Sequence, residues 1–356
     1  MDINYIDELF EEINEKSKEI QSTPSISFND ALELWEISPS GLEGVNLSGE
    51  NLSNAMLRNA NLRGAVLYET DCRCISLQGA SLVEANLVNA DFQGSNCAAA
   101  NFQGADLEAA NFQDSNLRAT NLQDANFNGA DLTGSNLSGA DLRRANLELA
   151  KLRGADIRNG DLRGAKFLFA DLEDAHLKGA NLQRADLTKA MLQRANLEDA
   201  KLGGAILVFA DLQWANLIAA DLREAMLQSA NFGRANLWRA KLQSADLFGA
   251  CLKEADLEAV NFRGAILRAA DLREASLVGA DLREAILIEA DFRDADLLES
   301  NLLGAKFEGS NFRGANLQGA LADEAFAKKM ELEFERTEIK GVVRIGLSPQ
   351  TELVNA

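Results

Sequence analysis

A single histidine, four cysteines and many carboxylates are the side chains of this 356-residue chain best able to do chemistry. His176 has no second histidine with which to share a metal ion or a proton. Cys72, Cys74, Cys97 and Cys251 are not spaced as metal ligands or as a disulfide framework. No basic cluster surrounds the two predicted to be exposed, Cys74 and Cys251, so neither is marked as a reactive thiolate. The sequence therefore predicts no catalytic residue, no metal site and no cofactor.

The carboxylates contain no pair that stands out as a general acid and base. Most aspartates recur at one fixed place in a five-residue pattern, which indicates a structural role facing solvent. The glycines follow the same pattern and form no G-x-x-x-x-G-K-S/T phosphate-binding loop. We therefore expect a protein that is not an enzyme.

An unbroken five-residue repeat from Leu42 to Leu317 must position the histidine, the cysteines and most of the carboxylates. Every fifth residue is apolar, nearly always Leu or Phe, and a small residue, usually Ala, stands two places before it. Asn or Asp usually lies between the two. This period matches neither a helix nor a strand. In extended backbone the small and apolar residues share one face, and the residues after them can turn a corner.

Four such sides predict a square coil of twenty residues whose small and apolar side chains point inward. The pattern resembles the pentapeptide repeat family, whose consensus is A-[DN]-[LF]-x-x, over the whole stretch from Leu42 to Leu317. The resemblance implies an all-β solenoid, a right-handed quadrilateral β-helix with type II and type IV turns at its corners. About fourteen coils would form a rod about 65–70 Å long at the usual spacing of paired strands.

The residues outside the repeat are predicted to form α-helical N- and C-terminal caps, because open solenoid ends expose apolar side chains and unpaired backbone. Residues 1–40 form the N-terminal cap, with a helix over about residues 3–20 and a second helix capped by Asn29 or Asp30. The β-helix covers residues 41–319. Residues 320–356 contain a helix that begins near Leu321, a short strand at residues 342–345 and a tail. The N-terminal helix could instead dock a partner.

Two places in the repeat predict local irregularity. Glu50 occupies an inward small-residue position, so we expect either splayed first coils or a carboxylate that escapes to the open end. Ile75 in an alanine position and Cys72 in a leucine position predict an altered coil near residues 70–77. Cys72 and Cys97 are otherwise interpreted as small core hydrophobes.

Residues twenty apart should stack in columns, so the surface can be assigned side by side. Side A is the side whose apolar residues include Leu82 and Leu142, and sides B, C and D follow it along the chain at five-residue intervals. Sides A and C carry arginines interleaved with glutamates and aspartates, which predicts a solvated charged surface; phosphate binding is the alternative. Side B carries the predicted protein-interaction patch, here named the apolar wall: Leu168, Phe169, Ile206, Val208, Phe209, Met226, Phe248, Ile266, Ile286 and Ile288.

A soluble monomer seldom leaves a large apolar patch open to water. Three interpretations of the apolar wall remain open at this point. A terminal helix folds along it, a second copy or another protein docks on it, or its residues are dispersed enough to be ordinary surface. We expect the second, which includes the formation of a homodimer.

A net charge of −20 and a pI near 4.6 argue against direct binding to nucleic acid or to an anionic membrane. No signal segment or membrane-spanning run is seen, so a cytoplasmic location is expected. The favoured function is a non-enzymatic protein-interaction or scaffold module built on a rigid rod. The alternative is an acidic DNA mimic that binds DNA gyrase or topoisomerase, as some proteins of the family it resembles do. The arginines of sides A and C and the lack of inserted loops count against that alternative.

Overall fold

A computed structural model describes residues 25–37, 41–326, 328 and 344–345. The helix predicted over residues 3–20 and the C-terminal tail lie outside them. The regular elements are the helix α1 (Phe28–Ile37) and the strands β1 (Leu321–Ala322) and β2 (Arg344–Ile345). Nearly all the rest is a stack of five-residue units joined by parallel backbone bridges.

Each twenty-residue coil pairs with the next one through a bridge at every fifth residue. The bridged residue stands just before the central apolar residue, and we name this the bridge position. The bridges run from Asn46↔Val66 to Asn301↔Leu321 without interruption. The central N–H donates to the next coil, as from Leu207 to the carbonyl of Met226 at 2.7 Å. Four bridges per twenty residues are the geometry of a quadrilateral β-helix, and the predicted coil length is confirmed.

Every corner of the rod is turned by a residue in the left-handed conformation. We name the two residues after the centre the turn position and the corner position. From residue 44 to residue 319, φ at the corner position lies between 53° and 77°. The next N–H donates back to the central carbonyl, as from Ala210 to Leu207 at 3.0 Å. This combination is the type II turn. The type IV turns implied by the resemblance do not occur at these corners.

The corner conformation explains a restriction in the sequence. Gly, Asn, Asp, Glu, Arg and Ala are frequent at the corner position, but Val, Ile and Thr never occupy it between residues 44 and 319. A branched Cβ atom in left-handed backbone is pressed against its own main chain, which makes it a genuine conformational outlier. The repeat therefore limits residue choice at a position that lies on the surface.

The small and central apolar residues fill the inside of the rod and are almost all fully buried, as predicted. Phe92 and Phe112 stack one coil apart, with ring centroids separated by 4.6 Å. Phe102 packs edge-on against Phe112 at 6.1 Å. Such geometries add aromatic attraction to simple burial.

The altered coil expected near residues 70–77 is wrong, because the bridges continue there as elsewhere. Asp71 bridges Asp91 in the ordinary register. Cys72 and Ile75 are both fully buried and belong to one turn, closed by the N–H of Ile75 donating to the Cys72 carbonyl at 3.1 Å. The loss of volume at Cys72 offsets the gain at Ile75, and cores tolerate exchanges that conserve volume.

Helix α1 is tied to the first coils through its N-terminus. Ser27, rather than Asn29 or Asp30, is its N-cap, since Ser27 Oγ accepts the N–H of Asp30 at 3.2 Å. The N–H of Phe28 donates to Glu50 Oε2 at 3.1 Å. The Glu50 carboxylate thus reaches the open end of the rod, the second of the two predicted outcomes, and stabilises a helix N-terminus there.

The last coil continues into β1, which pairs in parallel with β2 in the register Leu321↔Arg344. Helical conformation therefore begins at Glu324, later than the predicted start at Leu321. Phe326 is buried and meets the ring of Phe307 edge-on at 4.9 Å.

Candidate functional site

The polar residue at the bridge position holds the turn that follows it. Its side-chain oxygen accepts the N–H of the turn position, as Asp246 Oδ1 accepts from Phe248 and Asp296 Oδ1 from Leu298, both at 3.0 Å. The ladder between coils does not use that N–H. This local role, a side-chain mimic of a backbone turn, replaces the predicted view of these residues as simply facing solvent. The fixed two-residue spacing of Asn or Asp before the turn position was the available signal.

Arginines on sides A and C bind aspartates of their own coil. Arg283 forms a two-pronged contact with Asp281 at 2.8 and 2.6 Å, and its hydrogen bond holds the pKa of that carboxyl below its ordinary value. The predicted pairing with glutamates of a neighbouring coil also occurs, as between Arg263 and Glu284 at 2.9 Å. These paired charges leave little positive potential for binding phosphate.

A shallow groove of about 650 Å³ opens on side A, where Gly203 and Gly204 leave a gap in the row of long side chains. Arg163, Arg184 and Arg223 line it. Arg163 and Arg223 are each paired with the aspartate two residues before them at 2.6 Å. The groove is an open feature of the surface, and the rod beneath it is filled by side chains.

The cysteines occupy inert environments. Cys72 and Cys97 are buried in the core, as predicted, Cys74 is exposed, and Cys251 is half-buried rather than exposed. Burial raises the pKa of Cys97 to about 12 and that of Cys72 well above its ordinary value. A protonated thiol is a poor nucleophile and a poor metal ligand. His176 is exposed, and no cluster of metal-binding side chains occurs among the described residues.

The apolar wall lies on one side of the rod, with all ten residues pointing outward. Its bridge-position column contains Ile206, Met226, Ile266 and Ile286 and is interrupted once, by Asp246. Phe209, Met226 and Phe248 are 58%, 43% and 48% exposed, and the other seven residues are half-buried.

The exposure of side B changes along the rod. At the turn position the column is buried at Val88, Glu108 and Asn128. It becomes half-buried at Leu168 and exposed at Phe248. The open part of side B therefore belongs to the second half of the rod.

Four wall residues occupy bridge positions where Asn or Asp would hold the turn: Ile206, Met226, Ile266 and Ile286. The N–H groups two residues later have no acceptor among the described residues. Each missing hydrogen bond forgoes about 0.5–1.5 kcal/mol of stability. Isoleucine occupies the bridge position on side B alone. These side chains weaken the turns that carry them and project outward.

Other exposed aromatic rings differ because a cation of the same chain covers one face. Arg234 lies 4.8 Å from the ring centre of Trp214, and Arg239 lies 5.0 Å from that of Trp238. Within the wall, Lys189 covers Phe169 in the same way at 4.8 Å. No described cation covers Phe209 or Phe248.

Among the described residues, no helix combines the length and apolar character needed to cross a bilayer. A sequence profile of the pentapeptide repeat family matches overlapping segments between residues 42 and 326. A comparison with curated proteins finds no match.

Several solved structures resemble this chain. HetL, a pentapeptide repeat protein involved in heterocyst differentiation regulation from the cyanobacterium Nostoc, is 33% identical over 66% of this chain and 89% of its own, with a TM-score of 0.37. Rfr23, a pentapeptide repeat protein from the cyanobacterium Cyanothece, is 28% identical over 44% of this chain and 97% of its own, with a TM-score of 0.18. QnrB1, a plasmid-mediated fluoroquinolone resistance protein, is 16% identical over 78% of this chain and 96% of its own, with a TM-score of 0.16.

The profile matches extend over far more than half of the chain, and they coincide with the coils that the bridges define. The right-handed quadrilateral β-helix of the family accounts for the twenty-residue register and for the inward pair of positions in every unit. The chain is a member of the pentapeptide repeat family.

Proposed function

We propose that this protein is a non-enzymatic protein-interaction module, a rigid rod that presents the apolar wall to a protein partner. The observation that carries the proposal is the set of four apolar side chains at bridge positions of side B. They forgo hydrogen bonds that an Asn or Asp would form, and they project away from the core. Exposed apolar side chains that weaken the turns carrying them are expected where another protein surface covers them.

The ladder of bridges gives the module its rigidity. Each coil is joined to the next at four places, and the core contains stacked side chains along its whole described length. We propose about fourteen coils in residues 41–319, closed by a helical N-terminal cap in residues 1–40 and a C-terminal cap in residues 320–356. The contacts of Glu50 with α1 and of Phe326 with Phe307 support the two caps. With the ends covered, a side of the rod is the surface left for binding.

The absence of an enzymatic function belongs to the same proposal. The core thiols are protonated at neutral pH, and many of the arginines are paired with carboxylates. The groove at Gly203 is shallow and open, whereas sites for small molecules are usually concave and enclosing.

An acidic mimic of duplex DNA that binds DNA gyrase or topoisomerase is the second candidate. The net charge of −20 and the rod favour it. Arginines paired along sides A and C interrupt the negative surface, and no loop interrupts the bridges from Asn46 to Leu321. A supercoiling assay with purified gyrase tests this function, since a DNA mimic inhibits the reaction or relieves quinolone inhibition.

The interaction function is tested by placing a photo-crosslinking amino acid at residue 248 of the wall. The matched control carries it at residue 238, the same turn position on side D. We expect a protein adduct from residue 248 that the change Phe209→Asp abolishes, with the circular dichroism spectrum unchanged. A folded protein that gives no adduct from residue 248 contradicts the proposal.

A further inference from the structure

We infer that the occupant of the apolar wall is a second copy of this chain, packed antiparallel about a two-fold axis that crosses side B at the coil containing Leu247. This inference rests on the proposed function and names its partner. It follows from the order of residues in two columns of the wall.

A two-fold axis in the contact plane and perpendicular to the rod reverses the order of coils but leaves each column facing itself. A residue one coil above the axis therefore faces the residue one coil below it in the same column of the second copy. The unbroken bridges of side B fix which residues occupy each level. Self-complementarity of this kind is required of any interface between two identical surfaces.

In the turn-position column, the residues of one copy match those that they face in the second copy when the order of coils is reversed about Phe248. Val208 faces Ile288 of the second copy, and Phe248 faces itself. The polar residues between them also face one another, since Gln228 lies opposite Arg268 of the second copy. Apolar and polar levels alternate from coil to coil, and the reversal keeps them matched.

The bridge-position column matches about the same coil. Ile206 faces Ile286 of the second copy, and Met226 faces Ile266. At the ends of the wall, Asp186 faces Lys306 of the second copy. Lys306 is exposed and has no acidic partner among the described residues. The matched column therefore ends, on each side of the axis, in an Asp186 of one copy facing a Lys306 of the other. These two charge pairs fix the register in which the copies pack.

Asp246 is the one residue that faces a like charge, namely its own counterpart across the axis. Its carboxylate already accepts hydrogen bonds from Gln228 Nε2 at 2.6 Å and from the N–H of Phe248 at 3.0 Å. Arg268 of the second copy lies one coil away, about 4.8 Å along the rod. Each Arg268 also binds Glu289 of its own copy at 3.5 Å, so an Arg268–Glu289 pair lies on each side of the two carboxylates, and the guanidinium groups reduce the repulsion between them.

In the bridge-position and turn-position columns, two other arrangements of two copies place charges on apolar side chains, whereas the arrangement about Leu247 does so only in the corner column, where Phe209 faces Glu289 of the second copy. Moving the axis one coil, to Leu227, sets Ile206 against Asp246 of the second copy. A parallel arrangement sets Ile266 against Arg268 of the second copy at the same level. The matched levels around Leu247 run from residue 186 to residue 309, about 29 Å at sheet spacing. A contact of this length lies at the lower end of specific interfaces, so a dissociation constant in the micromolar range is expected.

Analytical ultracentrifugation from about 1 to about 200 µM tests the inference, a range chosen for such small interfaces. We expect the mass to double with concentration. Lys306→Glu and Asp186→Lys should each weaken association about tenfold, because each sets like charges opposite one another. The double variant should associate within about twofold of wild type, since the two charges are exchanged. A double variant as weak as the single ones overturns the register.

A disulfide test places the axis directly. In a background of Cys74→Ser and Cys251→Ser, Phe248→Cys should crosslink to its own copy on oxidation, whereas Trp238→Cys on side D should not. A wild-type protein that stays monomeric at about 200 µM, with no crosslink from residue 248, overturns the inference. If photo-crosslinking at residue 248 then captures a different protein, the proposed interaction function stands; if it captures none, that function fails as well.

Discussion

The left-handed corner is where a single Cβ atom should decide local stability. Gly279 and Ala259 occupy the same corner column of side D in successive coils, with φ of 65° and 53°. A Cβ atom added at Gly279 would meet no atom within 4 Å. Any loss of stability on Gly279→Ala therefore reports backbone strain and not steric crowding. Gly279→Ala and Ala259→Gly form a matched pair that should change the free energy of unfolding in opposite directions.

The magnitudes follow from the cost of the left-handed conformation. A residue with a Cβ atom loses about 1–2 kcal/mol there. Alanine recovers about 0.4–1 kcal/mol because its unfolded chain has fewer conformations to lose. Gly279→Ala should lower the free energy of unfolding by about 0.5–1 kcal/mol, and Ala259→Gly should raise it by a similar amount. Gly279→Val should lower it by about 2–3 kcal/mol, because a branched Cβ atom is more strongly disfavoured.

Urea unfolding gives the overall change, but long repeat arrays can lose cooperativity, so a local measurement is needed. Hydrogen exchange should be followed at the N–H of Gly279, which donates to the Leu298 carbonyl at 2.8 Å, and at the N–H of Ala280. In Gly279→Val these amides should exchange about 30- to 150-fold faster, while amides near residue 100 keep their rates. If the alanine and valine variants exchange alike, backbone strain does not explain the absence of the β-branched residues Val, Ile and Thr from the corners.

Three further changes test other parts of the rod. Phe112→Ala should cost about 3–5 kcal/mol in urea unfolding, and Phe112→Leu, which keeps most of the volume but removes the ring, about 1–2 kcal/mol; a leucine variant as stable as the wild type would deny the stacked rings any role. Glu50→Ala restores the consensus residue yet should lower stability by about 1 kcal/mol, because the N–H of Phe28 loses its carboxylate; a gain would contradict the contact. Hydrogen bonds from Arg273 and Arg283 hold the pKa of Asp271 and Asp281 below the ordinary 3.8, so the unfolded chain binds more protons than the folded chain as pH falls. The stability that these aspartates contribute above pH 3.8 should therefore decrease on acidification from about pH 5 to pH 3. An unchanged urea midpoint over this range would deny the linkage.

The coil register was predictable because it depends on spacing alone. Two inward residues per unit of five dictate a side, and four sides return the chain to its starting level, so Val208, Phe248 and Ile288 could be assigned to one column before any coordinates. The location of the apolar wall on side B followed directly. Inward burial of Cys72 and Cys97 followed from the same rule.

Features that depend on individual atoms were not predictable. The single turn type requires φ values, which residue identity at mixed Gly, Asn and Arg corners does not reveal. The compensation of Ile75 by Cys72 requires knowing that both side chains enter one turn. The contact between Glu50 and Phe28 joins residues from different elements, and no local pattern indicates it.

The repeat positions that the wall residues occupy distinguish a role in binding another surface from a role in folding. The turn position is the one outward place with no structural requirement, yet six of the ten wall residues lie at bridge or corner positions, where the fold favours Asx or glycine. If the wall served folding alone, restoring the consensus would be harmless. Ile286→Asn supplies the missing acceptor for the N–H of Ile288, so it should raise the free energy of unfolding by about 0.5–1 kcal/mol. The same change should weaken self-association about tenfold, because it removes an apolar contact at the interface. A variant that gains stability without losing association would show that these isoleucines are ordinary surface.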